Sequence, residues 1–347
     1  MLFIIISIFI YFIISFGFGS LINKYFQVNN LLSLKLLIGI LFIGIISLIS
    51  SIVIPLNINY EIVISLAGII LAIYYKFWKV EFKFNYSFII PAVITCLIAS
   101  MDSFIYDTYS YYLPTIRFLD DFGLLKGLGN FDFNLGQTSL WHIIQASTNN
   151  TIDLSYKLNA YLIIIYLIYI YENNLKKYII FLPLFYLFVA SPSPDLPIFV
   201  LSIITILNWI IYKNEDSIRY GLLLSAFLVL IKPIAFVLPI FFLIISLKNY
   251  NNYLKLYFIV GCLAILFFIK NIILTGNFTF PIGFGNISEL PFSVPVELYR
   301  ISTLEGRYIL LDTENKIEFS EFLNWSSVQY YIYLFQIFKF PFLFTVF

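Results

Sequence analysis

Long apolar blocks separated by polar connections run through most of the sequence. The blocks are roughly 15 to 25 residues long, the length at which an α-helix crosses a hydrocarbon core of about 30 Å. This length criterion, together with the charged interruptions, predicts an all-α integral membrane protein with about eleven transmembrane helices. We place the spans near residues 2–20, 31–55, 60–75, 86–101, 156–171, 178–190, 196–212, 218–231, 233–247, 254–274 and 328–347.

Both ends of this pattern and one internal break need separate interpretations. The first block lacks a basic flank and a small-residue cleavage site, which indicates a retained helix rather than a signal peptide. Lys232 and Pro233 interrupt the stretch 218–247, so two helices and one kinked helix both stay open. The sequence stops at Phe347 at the end of an apolar run, and a lost C-terminal part is one interpretation of that.

Lysine and arginine side chains occupy every second connection, which predicts the orientation because cationic loops stay in the cytoplasm. The lysine-bearing connections are therefore cytoplasmic, and the N-terminus lies outside. Two long connections fall on the outer side, where their length and aromatic content indicate folded, functional segments. The predicted organisation is four helices in 1–101, a first large outer loop in 102–155, six helices in 156–274, a second large outer loop in 275–327 and a last helix in 328–347.

The acidic residues follow the opposite distribution to the lysines. All of them fall within or at the ends of the predicted outer connections except Glu81, Glu172, Glu215 and Asp216. The outer face is therefore predicted to be acidic and to carry the chemistry.

Composition narrows the candidate functions. Apolar residues make up 61% of the chain and charged residues 11%, against about 25% charged in soluble domains, and the mean hydropathy is +0.94. A net charge of +1 without a basic stretch excludes a nucleic-acid partner. Cys96 and Cys262 stand far apart in apolar runs, which indicates neither a disulfide framework nor a zinc site. Richness in Ile, Asn, Lys, Phe and Tyr is typical of an AT-rich bacterial genome, so we expect the bacterial inner (plasma) membrane as the location.

The densest polar cluster, residues 101–117, stands where the fourth span leaves the membrane. It contains Asp102 and Asp107, followed by several tyrosines and Arg117. A carboxylate that aromatic neighbours partly desolvate is a candidate base for deprotonating a hydroxyl. The alternative is that the tyrosines form an interfacial belt and the acids are solvated loop charges.

Further candidates stand at the outer ends of later spans. Asp195 ends the stiff segment SPSPD and begins the seventh span, where it either caps the helix or contacts a substrate or metal. Lys232 and Lys270 are placed near the outer boundary, where they either snorkel to water or meet a phosphate. His142, the sole histidine, is interpreted as a packed or surface side chain, because no second histidine or cysteine stands nearby to complete a zinc site.

Several short motifs follow one another in a fixed order. They are YDTYSYYLP at 106–114, GLGN at 127–130, LG at 135–136, SLW at 139–141, SPSPD at 191–195, and NIILTG at 271–276 with Pro281 after it. As a set they resemble a family of bacterial multispanning proteins related to the GT-C glycosyltransferases, which includes the protein mannosyltransferases that use dolichyl-phosphate mannose. The resemblance covers the chain from about residue 100 to 300.

The resemblance implies an enzyme that transfers a sugar from a polyprenyl-phosphate carrier to an envelope glycan, lipid or protein acceptor on the outer face of the membrane. Asp107, with Asp102 as second choice, falls at the place of the acidic residue that assists transfer. No resident cofactor is implied, and a divalent cation is left open. A flippase or transporter of a lipid-linked or anionic solute is the alternative function, and a scaffold is a third. We expect the substrate to contact Tyr106, Tyr112, Arg117, Asp195, Lys232 and Lys270.

Overall fold

Helices are the only regular secondary structure in the part of the chain that the structure describes. This structure is a computed structural model that describes residues 1–26, 31–80, 86–287, 289–311, 319–322, 324–326, 328–330 and 333. The α-helices are α1 (Leu2–Phe26), α2 (Leu32–Ser51), α3 (Ile58–Tyr74), α4 (Tyr86–Ala99), α5 (Leu113–Phe122), α6 (Leu128–Phe131), α7 (Leu140–Ala146), α8 (Leu158–Glu172), α9 (Leu182–Tyr186), α10 (Asp195–Tyr212), α11 (Glu215–Ile231), α12 (Val237–Ser246), α13 (Leu254–Thr275), α14 (Val296–Leu311) and α15 (Phe319–Phe322). A π-helix covers Thr108–Tyr112, and 3-10 turns cover Phe77–Lys79, Leu135–Gln137, Lys176–Phe181, Pro233–Phe236 and Leu247–Tyr253.

Several of these helices are long and apolar enough to cross a membrane. Within the described residues there are four such stretches: Leu2–Tyr25, Leu32–Ser51, Asp195–Tyr212 and Pro233–Thr275. The last one contains α12 and α13, which meet at a kink where Asn249 leaves the helical conformation. Helices α3, α4 and α8 are apolar but shorter. The chain therefore has the helices of a membrane-associated protein.

Prolines decide where two of the predicted spans break. Lys232 is extended, at φ −150° and ψ 122°, because the residue before a proline avoids the helical region. The stretch 218–247 therefore forms two helices rather than one kinked helix. The predicted span 178–190 contains a 3-10 turn and the five-residue α9, with Pro183 in its first turn. The predicted span 328–347 lies almost wholly outside the described residues.

The core is built around α8, whose side chains are buried over most of its length. Helices α1, α2, α4 and α10 pack around it. Glycines let α1 approach its neighbours closely, since a Cβ at Gly39 would lie 1.9 Å from the Ser15 carbonyl oxygen and one at Gly17 would lie 2.1 Å from that of Gly68. Small residues at such crossings are typical of helix packing in membranes.

The connections meet one another in two separate groups. At the lysine-rich end, which comprises the start of α2 and connections 172–177 and 212–215, the Glu172 carboxylate accepts hydrogen bonds from the backbone N–H groups of Leu32 and Ser33 at 2.7 and 3.0 Å. The Tyr212 hydroxyl donates to Asn173 Oδ1 at the same end. These contacts bring together connections that the sequence assigns to one side of the membrane.

The acidic end comprises connections 52–57, 100–157, 190–195 and 231–233 and the segments 276–287 and 289–295. There the backbone N–H of Leu56 donates to the Leu119 carbonyl oxygen at 3.0 Å. Lys157 Nζ donates to the Ala190 carbonyl oxygen at 2.7 Å. The long connection 100–157 therefore contacts two other connections of this end.

Glu61 is a buried structural group, although the sequence places it among the outer acidic residues. Its side chain is 0% exposed. The carboxylate accepts hydrogen bonds from the backbone N–H groups of Asn150, Thr151 and Ile152 and from the Thr151 hydroxyl, at 2.7 to 3.1 Å. It thus fixes the turn that follows α7 against the start of α3.

Candidate functional site

The segment that carries Asp107 leads into a π-helix. Residues 108–112 adopt this wider helix, which occurs mostly as single turns and frequently at functional sites. Tyr111 and Tyr112 lie side by side within it, with ring centroids 4.4 Å apart. Asp107 stands directly before the first turn and is half-buried.

A polar network holds the SPSPD segment beside this π-helix. The Thr108 and Ser191 hydroxyl oxygens are hydrogen-bonded at 2.7 Å. The Asn159 amide donates to the carbonyl oxygens of Ser191 and Ser193 at 2.7 and 3.1 Å, and Trp141 Nε1 in turn donates to Asn159 Oδ1. Buried backbone carbonyls need such partners, so the network fixes the loop from which α10 starts.

Asp195 and Lys232 form an ion pair at the start of α10 and the end of α11. The pair is only partly screened from solvent, because the Lys232 and Asp195 side chains are 41% and 30% exposed. Asp195 is the first residue of α10 and also contacts Ser193, whose hydroxyl lies 3.2 Å from its carboxylate. The side chain is thus directed at a cation rather than at the free N–H groups of its own helix.

Lys270 reaches the same region from α13. Its side chain is buried, at 4% exposed, and Nζ donates to the Thr138 carbonyl oxygen at 2.6 Å. No carboxylate of the described residues forms an ion pair with it. Nζ also lies 5.6 Å from the centroid of the Phe267 ring. With one carbonyl acceptor, the Lys270 amino group retains unused hydrogen-bond donors.

The turn after α13 forms one wall of the site. Gly276 ends α13 in the left-handed conformation at φ 68°, and the Asn271 amide donates to the Phe278 carbonyl oxygen at 3.1 Å. The glycine-rich segment packs on this end of α13, since the backbone N–H of Gly127 donates to the Ile273 carbonyl oxygen at 2.9 Å. The motifs at 127–136 and 271–281 therefore meet in space.

These segments enclose a cavity of about 370 Å³, a size in the range of small-molecule sites. Its polar lining comes from four separated segments, while its apolar lining comes mainly from the ends of α11 and α13 and from the turn after Lys232. The polar and charged lining residues are Tyr111, Gln137, Thr138, Ser139, His142, Lys232, Lys270 and Asn271.

Burial and neighbouring charges perturb two groups on this cavity. Burial lowers the pKa of His142, and Lys270 and then Lys232 lower it further, to about 3. Burial raises the pKa of Tyr111 well above its usual range, helped by the nearby Tyr112 and by the carboxylates of Asp107 and Asp195. Both carboxylates therefore act electrostatically on Tyr111, which lines the cavity, although neither Asp107 nor Asp195 lines it.

Six of the eight expected site residues, including Asp107 and Asp195, do not line the cavity. Asp102 is exposed and acts electrostatically on Lys157. Tyr106 is 82% exposed, and Arg117 is exposed on α5. Tyr112 is buried behind the lining, with its ring centroid 5.1 Å from that of His142.

Lys232 and Lys270 line the cavity, and Asp195 pairs with Lys232. Asp107 does not line it, but its carboxylate acts electrostatically on the lining residue Tyr111. Sequence reasoning missed His142 and Thr138 as lining residues. The feature of the sequence that could have indicated His142 is that the sole histidine stands within the motif-rich stretch 127–142. Among the described residues, no group of three histidine, cysteine, aspartate or glutamate side chains is arranged to hold a metal ion.

Comparison with known proteins identifies a family but no characterised relative. No curated protein and no solved structure matches the chain. One family model matches residues 1–347, that is, the whole chain. The chain therefore belongs to the family described as Domain of unknown function (DUF8201).

Proposed function

We propose that the protein is a GT-C-like membrane glycosyltransferase that moves a sugar from a polyprenyl-phosphate carrier to an acceptor hydroxyl. The observation that carries this proposal is the convergence of Lys232 and Lys270 on one cavity, where Lys232 pairs with Asp195 and the Asp107 carboxylate acts electrostatically on the lining residue Tyr111. Two cations and a nearby carboxylate are the groups that such a reaction requires. The two cations bind the phosphate, and the carboxylate accepts a proton.

The proposed step begins when the acceptor hydroxyl oxygen attacks the anomeric carbon of the carrier-bound sugar. A bond forms between these atoms, and the bond from the anomeric carbon to the phosphate oxygen breaks with its electron pair on the phosphate. The hydroxyl proton passes to Asp107. Lys232 and Lys270 stabilise the negative charge that develops on the leaving phosphate, because fixed cations act strongly in a low-dielectric site.

The surroundings of the cavity suit a carrier that is partly lipid. Ile234 and Phe236 line it and are 72% and 55% exposed. Apolar side chains that are exposed on a membrane-associated helix face acyl chains at little cost. A prenyl chain can therefore lie outside the protein against this wall while its phosphate occupies the cavity.

The orientation in the membrane is part of the proposal. We place the acidic end outside the cytoplasm and the lysine-rich end inside it, in the bacterial plasma membrane. The grouping of the connections into two ends is supported by hydrogen bonds such as those of Glu172 and Lys157. The eleven-span topology and the two large outer loops are part of the same proposal. The acceptor is then an envelope glycan, lipid or protein.

Substitution of Asp107 tests the catalytic assignment. Asp107→Asn removes the proton acceptor but keeps the side-chain volume, so we expect a loss of at least about 100-fold in sugar transfer from total polyprenyl-phosphate sugars in membrane vesicles. Asp121→Asn is the matched control, since Asp121 is an exposed carboxylate on α5. Full transfer activity in Asp107→Asn with normal membrane insertion would remove Asp107 from the mechanism.

A flippase or transporter of a lipid-linked solute is the second candidate. A separate, almost wholly apolar cavity of about 560 Å³ favours lipid handling of some kind. It lies between α1, α4 and α8, with Phe77 and Trp78 at its margin. Movement of a fluorescent prenyl-phosphate lipid across reconstituted liposomes, without any sugar transfer, would favour this candidate over the enzyme.

A further inference from the structure

His142 is a buried polar side chain whose hydrogen-bonding groups are unused. It is 1% exposed on α7, and its ring lines the cavity that contains Lys232 and Lys270. Neither Nδ1 nor Nε2 has a hydrogen-bond partner among the described residues. An unpaired buried polar group costs free energy, so this arrangement indicates a ligand rather than a packing role.

The position of the ring is fixed by its neighbours. The Tyr112 ring lies against it at a centroid distance of 5.1 Å. At the start of α7, the Ser139 hydroxyl donates to the Ile231 carbonyl oxygen at 2.8 Å, which ties this helix to the residue before Lys232. The imidazole and the two lysines therefore keep a defined relation across the cavity.

The protonation state decides which atoms His142 can recognise. With a pKa of about 3, the imidazole is neutral at pH 7. A neutral imidazole carries one N–H donor and one acceptor nitrogen. Lys232 and Lys270, the charged groups that act on it, are both donors, so an anionic oxygen between them can accept hydrogen bonds from both lysines and from the imidazole N–H.

We infer that His142 is a specificity-determining residue that donates a hydrogen bond from its ring N–H to a phosphoryl oxygen held by Lys270 and Lys232. This inference rests on the proposed function and names a third contact of the carrier phosphate. The phosphate accepts several hydrogen bonds at once. The lysines compensate its charge, and the imidazole N–H forms a directional hydrogen bond that fixes its orientation. An alcohol of the same chain length lacks the phosphoryl oxygens that these three side chains would contact.

The single histidine of the chain makes a direct spectroscopic test possible. The full chain, labelled with ¹⁵N-histidine and purified through a tag without histidine, gives imidazole signals from His142 alone. Farnesyl phosphate is the probe and farnesol is the matched control, and calorimetry in the same detergent measures whether each one binds. We expect farnesyl phosphate to shift the protonated-nitrogen resonance of His142, and farnesol to leave it unchanged.

The outcomes separate this inference from the function on which it rests. Binding of farnesyl phosphate without a shift of the His142 resonance would overturn the role of His142 and leave the donor proposal standing. If calorimetry shows no preference for farnesyl phosphate over farnesol, both proposals fall. As a second measurement, His142→Phe should weaken farnesyl phosphate binding about tenfold, whereas His142→Asn, which keeps a donor, should stay within about threefold of the wild type.

Discussion

The buried carboxylate of Glu61 offers a quantitative test of the fold that supports the cavity. In Glu61→Gln the amide oxygen can keep the place of Oε1, which accepts from Thr151 and Ile152. The amide nitrogen then stands where Oε2 lay, 2.7 Å from the backbone nitrogen of Asn150. The charge-assisted hydrogen bond from Asn150 is lost, and so is the second contact of the Thr151 N–H, which keeps its bond to the other oxygen. The amide N–H groups then face these backbone donors.

A hydrogen bond to a charged group contributes about 1.5–3 kcal/mol to stability, so we expect the substitution to lower the free energy of unfolding by about 2–3 kcal/mol. At about 2 °C per kcal/mol, the unfolding midpoint should fall by about 4 °C or more. Tryptophan fluorescence of the detergent-solubilised protein during heating measures this midpoint. Glu289→Gln is the control, because Glu289 is exposed. An unchanged midpoint in Glu61→Gln would refute the assignment of Glu61 as the group that holds the turn after α7.

Three other predictions follow from individual contacts. Burial raises the pKa of Asp153 to about 6, so the stability that its protonated form contributes is present at low pH and is lost as the pH rises through 6. When the pH is lowered from 7.5 to 5, the free energy of unfolding of the wild type should rise by about 1.4 kcal/mol relative to that of Asp153→Asn, as measured by thermal unfolding. Gly39→Ala should lower the unfolding midpoint because its Cβ would meet the Ser15 carbonyl oxygen, whereas Gly261→Ala, with open space around it, should not. Thr108→Val removes the hydrogen bond to the SPSPD segment and should lower the rate of sugar transfer, while Thr108→Ser should retain it; equal rates in both would contradict a positioning role for Thr108.

The sequence was most informative about helix positions and about which connections share one end. Apolar blocks and charges indicate which segments prefer the membrane and which prefer water. The hydrogen bonds of Glu172 and Lys157 agree with the predicted grouping of the connections into two ends. At Lys232 and Pro233 the sequence allowed either two helices or one kinked helix, and the extended conformation of Lys232 shows that there are two. The role of Glu61 was hidden, because its partners are backbone groups about 90 residues away.

The candidate site was predictable only in part for the same reason. Lys232, Lys270 and Asp195 stand out as charges at the ends of apolar runs, but their meeting depends on how α10, α11 and α13 pack together. Nothing in the local sequence separates Asp102 from Asp107, whereas in the structure Asp107 directly precedes the π-helix and acts electrostatically on Tyr111. His142 is buried, as its interpretation as a packed side chain expects, but its place on the cavity depends on contacts that the local sequence does not show.

The most direct test of the central proposal is native mass spectrometry of the purified protein, with Lys232→Ala compared to the wild type. We expect a bound polyprenyl-phosphate sugar in the wild type and its loss in Lys232→Ala, because the variant lacks one of the two lysines that line the cavity. Lys232→Arg should retain the lipid, and so should Lys248→Ala, whose exposed lysine stands outside the cavity lining. Absence of any prenyl lipid from every preparation, or equal occupancy in Lys232→Ala, would contradict the account.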